Sequence, residues 1–240
     1  MTDTRKTIGI IGGMGPLATA DIFEKIIYHT EAKSDQDHIR VVIDSNTAIP
    51  DRTAALLHGG ADPVPEMTKS AKYLESIGAD VLVMPCNTAH GFYDRVAASV
   101  GIPVLNMIEI TRDVLKAGGI TKAGLLATDG TIETGVYSRA FEGSGVELIN
   151  PGRADQEAVM DVIYNGVKAG DMEHDVSGFR RCCENLLAAG AQTLVLGCTE
   201  LPLAFSIYKL DHPNTDPTLE LALAAIRFVG KKTVEHGGLL

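Results

Sequence analysis

The sequence predicts an α/β fold of two pseudo-symmetric lobes, each a parallel-type sheet flanked by helices, with the functional site in the cleft between them. Three observations predict it. Short Val/Ile/Leu runs alternate with longer amphipathic stretches, as in parallel strands covered on both faces. Two pairs of segments recur at nearly one offset. The chain of 240 residues is 45% hydrophobic, which is the composition of a folded protein rather than a disordered one.

The strands are expected at 7–11, 40–44, 80–84, 103–105, 123–127, 146–149 and 192–196. Most are continuous apolar runs, which suits strands buried on both faces. Helices are expected at 17–32, 62–77, 90–100, 108–117, 131–142, 153–168, 172–189 and 217–234. Gly78, Gly101, Gly118 and Gly190 each follow a periodic stretch, where a helix C-terminus favours a left-handed residue.

The repeat sets the domain organisation. Residues 8–20, IGIIGGMGPLATA, align with 123–135, AGLLATDGTIETG, at an offset of 115. Residues 76–88, SIGADVLVMPCNT, align with 188–200, AAGAQTLVLGCTE, at 112. The chain therefore reads as lobe 1, residues 1–111 plus 218–240, and lobe 2, residues 112–217. Each is an ordinary size for a small domain.

Composition excludes several functions. There are 21 Lys and Arg against 31 Asp and Glu, a net charge of −10, which argues against a nucleic-acid partner. No apolar run reaches the roughly 18–20 residues that span a bilayer. The start, MTDTRKTIGIIGG, reads as a polar lead into the first strand rather than a signal peptide. Four cysteines are too few for a disulfide scaffold, which points to the cytoplasm.

Two of those cysteines point to chemistry. Cys86 and Cys198 occupy equivalent repeat positions, each just after a strand. Ligands of open α/β sheets bind at the carboxyl ends of strands, and a helix N-terminus there favours a thiolate. Two lobes facing each other would bring the cysteines to one ligand from opposite sides, an arrangement that suits inversion of a stereocentre. Cys182 and Cys183 sit inside a helix and read as packing. The cysteine spacings contain no C-x-x-C, and no metal site is expected.

Other residues bear on the ligand. Gly13-x-Gly15-x-x-Ala18 satisfies a dinucleotide fingerprint formally, but a Gly-rich turn before a helix favours anions of any kind, carboxylates included. Arg52, in NTAIPDRT after the second strand, can hold a carboxylate bidentately. Lys168 ends a helix, where a cation is favourable. His90 stands one helical turn after Cys86, either to assist it or to pack.

Together the segments IGIIGGMGPLATADIFEKI, NTAIPDRTAALL, MPCNTAH, LLATDGTIETGVY, YNGVKAGD and LGCTEL resemble the cofactor-independent aspartate/glutamate racemase family, in its aspartate racemase branch. The resemblance implies an active site between the lobes, with Cys86 and Cys198 as paired acid/base residues. It implies Met14 and Gly15 against the substrate, and Asn87, Thr88, Thr128, Thr131 and Thr199 binding its carboxylate. Arg52 and Lys168 match positions that hold the substrate's carboxylate groups. The resemblance further implies a small acidic amino acid as substrate, no cofactor and a homodimer. Glutamate racemases of the wider family usually carry His after the second Cys-Thr. Here Glu200 stands there, to orient the substrate ammonium or the Cys198 thiol, or to favour the helix N-terminus. Other expectations for the same residues are a hydantoin racemase or decarboxylase of this fold, a nicotinamide-dependent oxidoreductase, and a non-catalytic binding module.

Overall fold

The computed structural model describes residues 5–234. It divides into two compact units. The first runs through Ile110 and resumes at Thr218; the second is Thr111–Pro217.

In the first unit, β1 (Thr7–Gly12) lies between β2 (Arg40–Ser45) and β3 (Val81–Val83), all parallel. Side chains alternate across the sheet. Ile8 and Ile10 of β1 and Val81 and Val83 of β3 pack with α1 (Pro16–Tyr28) and α11 (Pro217–Phe228) on one face. Ile11 and Leu82 pack with α3 (Val64–Ser76) on the other. Between them lie the short α2 (Arg52–Leu57), a 3₁₀ turn (Thr88–Phe92), α4 (Tyr93–Ala97) and α5 (Met107–Ala117), which runs into the second unit.

The second unit repeats this order. β4 (Lys122–Ala127) lies between β5 (Glu147–Ile149) and β6 (Thr193–Gly197), and β7 (Asn214–Thr215) extends the edge. The helices are α6 (Asp129–Glu133), α7 (Val136–Phe141), α8 (Arg153–Asp161), α9 (Ser177–Ala188) and α10 (Glu200–Ile207). A π-helix, Val162–Lys168, continues α8. The core joins Leu126, Leu194 and Leu196 to Val159, Ile163, Phe179, Cys182, Cys183 and Leu186. Cys182 and Cys183 are thus packing residues.

The repeat extends to single residues. A Cβ on Gly9 would meet Leu82 Cδ2 at 2.6 Å and Leu74 Cβ of α3 at 3.3 Å. A Cβ on Gly124, its counterpart 115 residues on, would meet Leu194 Cδ2 at 2.9 Å and Leu186 Cβ of α9 at 3.1 Å. In both units a central-strand glycine lets one helix approach the sheet closely.

Several boundaries differ from the sequence pattern. Residues 103–105 form only an isolated bridge, Leu82 to Val104. The helix expected at 131–142 is broken at Gly135, where φ is +63°. The one at 90–100 is a 3₁₀ turn followed by five α-helical residues. α9 starts at Ser177 rather than 172, and α11 ends at Phe228 within the 217–234 stretch. α2 and β7 were not anticipated, and α10 was expected only as a helix start after Cys198, with no range. Gly78 and Gly190 are left-handed as expected, but Gly119 takes that role in place of Gly118, and Gly101 does not adopt it.

Candidate active site

The first unit gathers its candidate residues at the carboxyl ends of its strands. The β1–α1 loop is Gly13-Met14-Gly15. Gly13 has φ +89°, and a Cβ there would collide with the Asn46 backbone. Gly13 N–H donates to Thr19 Oγ1 (2.9 Å), which donates to Gly15 O (2.9 Å), closing the loop onto the first turn of α1. Pro16 opens that helix, where its missing N–H costs nothing. Met14 is buried.

Arg52 follows the Asp51 cap of α2, whose Oδ1 accepts from Ala54 N–H at 2.7 Å. Its guanidinium donates to Pro50 O (3.0 Å), Ile49 O (3.4 Å) and, from Nη2, Met14 O (3.3 Å). Nε is buried without a hydrogen-bond partner. Arg52 thus ties the β2–α2 loop to the β1–α1 loop through carbonyls. No carboxylate among the described residues pairs with it.

Cys86 lies three residues past β3, buried, with Asn87 and Thr88 buried beside it. His90 is buried. Met107 N–H donates to its Nε2 (3.1 Å), so Nδ1 carries the proton and donates to Cys86 O (2.9 Å). The ring stacks on Tyr93 at 5.9 Å and 7°. Burial pushes its pKa down to about 4, against a smaller upward pull from the Cys86 carbonyl. Neutral and doubly bonded, His90 fixes the backbone of Cys86 and caps the start of α5. It is not placed as an acid or base.

The second unit repeats the arrangement with other side chains. The register Ala127↔Gly197 sets Thr128 and Cys198 at adjacent strand ends. Thr128 caps α6, its Oγ1 accepting from Thr131 N–H (3.3 Å) and lying 3.1 Å from Thr131 Oγ1. Cys198 Sγ donates to Glu200 Oε2 (2.9 Å), and Thr199 Oγ1 donates to the same oxygen (3.3 Å). Lys168 Nζ donates to Glu200 Oε1 (2.6 Å) and lies over the Tyr164 ring at 5.7 Å. Burial first, then the Glu200 charge, push the Cys198 thiol well above its ordinary range. The expected thiolate preference at a helix start is therefore reversed at this cysteine. Burial alone would raise the Glu200 carboxyl, but the Lys168 charge and the hydrogen bonds from Cys198 and Lys168 hold it below its ordinary value.

The sequence pattern missed Tyr137, which is buried and feels Asp216 and Cys198. Its only signal was its place in the segment matched to the family. All four cysteines are free thiols. Among the described residues, no group of three or more His, Cys, Asp or Glu side chains could hold a metal ion, and no helix is long and apolar enough to cross a membrane.

The sequence model for Asp/Glu/hydantoin racemases matches residues 11–227. The chain belongs to the Asp/Glu/hydantoin racemase family. It is an isomerase of the amino-acid racemase type, with a small amino acid as substrate. The aspartate racemase of Picrophilus torridus is 35% identical, with a TM-score of 0.82 over 95% of this chain and 96% of that one. The broad specificity amino-acid racemase RacX of Bacillus subtilis is 27% identical, over 91% of this chain and 96% of its own. Glutamate racemase from Francisella tularensis, solved with D-glutamate, shares the fold at 19% identity, with a TM-score of 0.67 over 94% and 81% of the two chains.

Proposed function

We propose that this racemase interconverts L- and D-aspartate, with glutamate as a second substrate, using Cys86 and Cys198 on opposite faces of Cα and neither pyridoxal phosphate nor a metal. The carrying observation is the equivalence of the two cysteines. Each follows the strand that pairs with the central strand of its own unit, β3 beside β1 and β6 beside β4. Arg52 supports an acidic substrate, because a cation held only by carbonyls is poised for an outside carboxylate.

The chemistry needs a thiolate on one side and a thiol on the other. The thiolate takes the α-proton; the thiol gives its proton to the opposite face of the carbanion, and the cysteines exchange states. The α-carboxylate accepts charge as the carbanion forms. Asn87, Thr88, Thr128, Thr131 and Thr199 are the donors for that carboxylate, and one such donor is worth about 3 kcal/mol of transition-state stabilisation. Met14 and Gly15 lie against the substrate in this reading, and Lys168 stands on the second cysteine's side. A homodimer belongs to the same proposal.

The test is solvent-deuterium entry at Cα of both enantiomers of aspartate and glutamate, without added cofactor. Exchange in the wild type and loss of racemisation in both C86A and C198A are expected. Racemisation retained by C198A sinks the two-base reading. Absence of exchange with any acidic amino acid, together with turnover of a hydantoin, would overturn the substrate class.

A further inference from the structure

We infer that Glu200 is a positioning residue for Cys198: tethered by Lys168, its carboxylate keeps the second cysteine a thiol, so that Cys198 enters the reaction as the acid. The mechanistic consequence rests on the two-cysteine reading above; the geometry and its test do not.

The hydrogen-bond pattern gives the direction. An ionised carboxylate only accepts, so the 2.9 Å contact between Sγ and Oε2 places the proton on sulfur. Thr199 Oγ1 donates to the same oxygen, and Lys168 Nζ occupies the other at 2.6 Å. The Glu200 side chain is only 10% exposed. An unpaired carboxylate there would tend to take up a proton, and the ammonium keeps it charged. Cys198 and Glu200 also compete for the same helix N-terminus, because Glu200 is the first residue of α10. Two anions two residues apart repel, and the stronger acid ionises first. Carboxyl groups lie about four units below thiols in ordinary pKa.

Tyr137 of α7 is buried beside Cys198, and burial with the nearby Asp216 charge raises its phenol, which stays neutral. Tyr164 lies beneath Lys168 on the π-helix. Lys168 is the last residue of that seven-residue segment. On the same segment, Gly166 leaves room for Tyr208, whose Oη would stand 2.7 Å from a Cβ there. Lys168 is therefore already engaged by a protein carboxylate, whereas Arg52 is not. The two cations matched to substrate carboxylates are not equivalent in the free enzyme.

The test needs no substrate. Iodoacetamide alkylation at pH 8, mapped by peptide mass spectrometry, reports thiolate at each cysteine. E200Q keeps the shape and removes the charge. It should raise the Cys198 alkylation rate about tenfold or more, and E200D should fall between it and wild type. Cys182 and Cys183 share the core cluster of Cys198, so they should stay unreactive. An E200Q rate within twofold of wild type, or a parallel rise at Cys182 and Cys183, overturns the inference. If the alkylation order holds but no acidic amino acid exchanges deuterium, the substrate reading fails and the Glu200 assignment stands.

Discussion

Acidification from pH 7.5 to 5 tests the role of His90. Its ring is enclosed, donates from Nδ1 to Cys86 O and accepts at Nε2 from Met107 N–H. Protonation would charge a buried ring and take away the acceptor of that amide. The folded-state pKa is about 4 against an ordinary 6.5. A depressed pKa contributes stability that is complete above 6.5 and is lost as pH falls towards 4. The gap corresponds to about 3 kcal/mol in full, of which about 2 kcal/mol is lost by pH 5. Denaturant unfolding should be followed by circular dichroism, with hydrogen exchange of the β1 and β3 amides to isolate the first unit. Carboxylates titrate in the same window, so the comparison is with H90Q, which lacks the titrating group. Wild type should lose about 2 kcal/mol more than H90Q between the two pH values. Equal losses would mean that His90 is not held neutral in the folded state, and would reopen a proton-transfer role for it.

Three further outcomes are expected. R52M removes a charged donor set and should lower kcat/KM for acidic amino acids about 100-fold, mainly through KM, as charge-assisted hydrogen bonds contribute about 1.5–3 kcal/mol; initial rates by polarimetry check it. G9A and G124A should each destabilise by about 1–3 kcal/mol, the usual cost of overpacking, and hydrogen exchange should place each loss in its own unit. T128A removes the α6 cap and should cost about 1 kcal/mol, whereas T128S should restore most of it; both are read from unfolding midpoints.

Much of the fold was legible because the repeat is written in close-packing residues. Gly9 and Gly124 must be small where a helix meets the central strand, and Cys86 and Cys198 follow strands with the same neighbours. α10 was legible only as a helix start after Cys198, not in its extent. Leu201, Pro202, Leu203, Ala204 and Phe205 are apolar in succession, and such a run shows no 3.6-residue period. The break at Gly135 could be missed because helical periodicity tolerates one glycine, and only its positive φ separates α6 from α7. The pairing of Lys168 with Glu200 joins residues 32 positions apart. Lys168 closes a π-helical segment that no amphipathic pattern announces. His90 was half legible. Its spacing from Cys86 placed it correctly, but its second partner, the Met107 amide, comes from a distant turn.

The chain leaves the first unit after Ile110 and returns at Thr218. α11, which covers Ile8 and Ile10 of β1, is therefore synthesised after every other element of the fold. Translation from β1 to the end of α11 takes roughly 10–40 s at about 5–20 residues per second. Throughout that interval the earliest strand lacks Leu221, Ala225 and Ile226 on one face, while the second unit already has its whole sequence before α11 appears. On the ribosome, the unit begun first is thus the one finished last. Its half-covered sheet is the surface that a nascent-chain chaperone would need to shield.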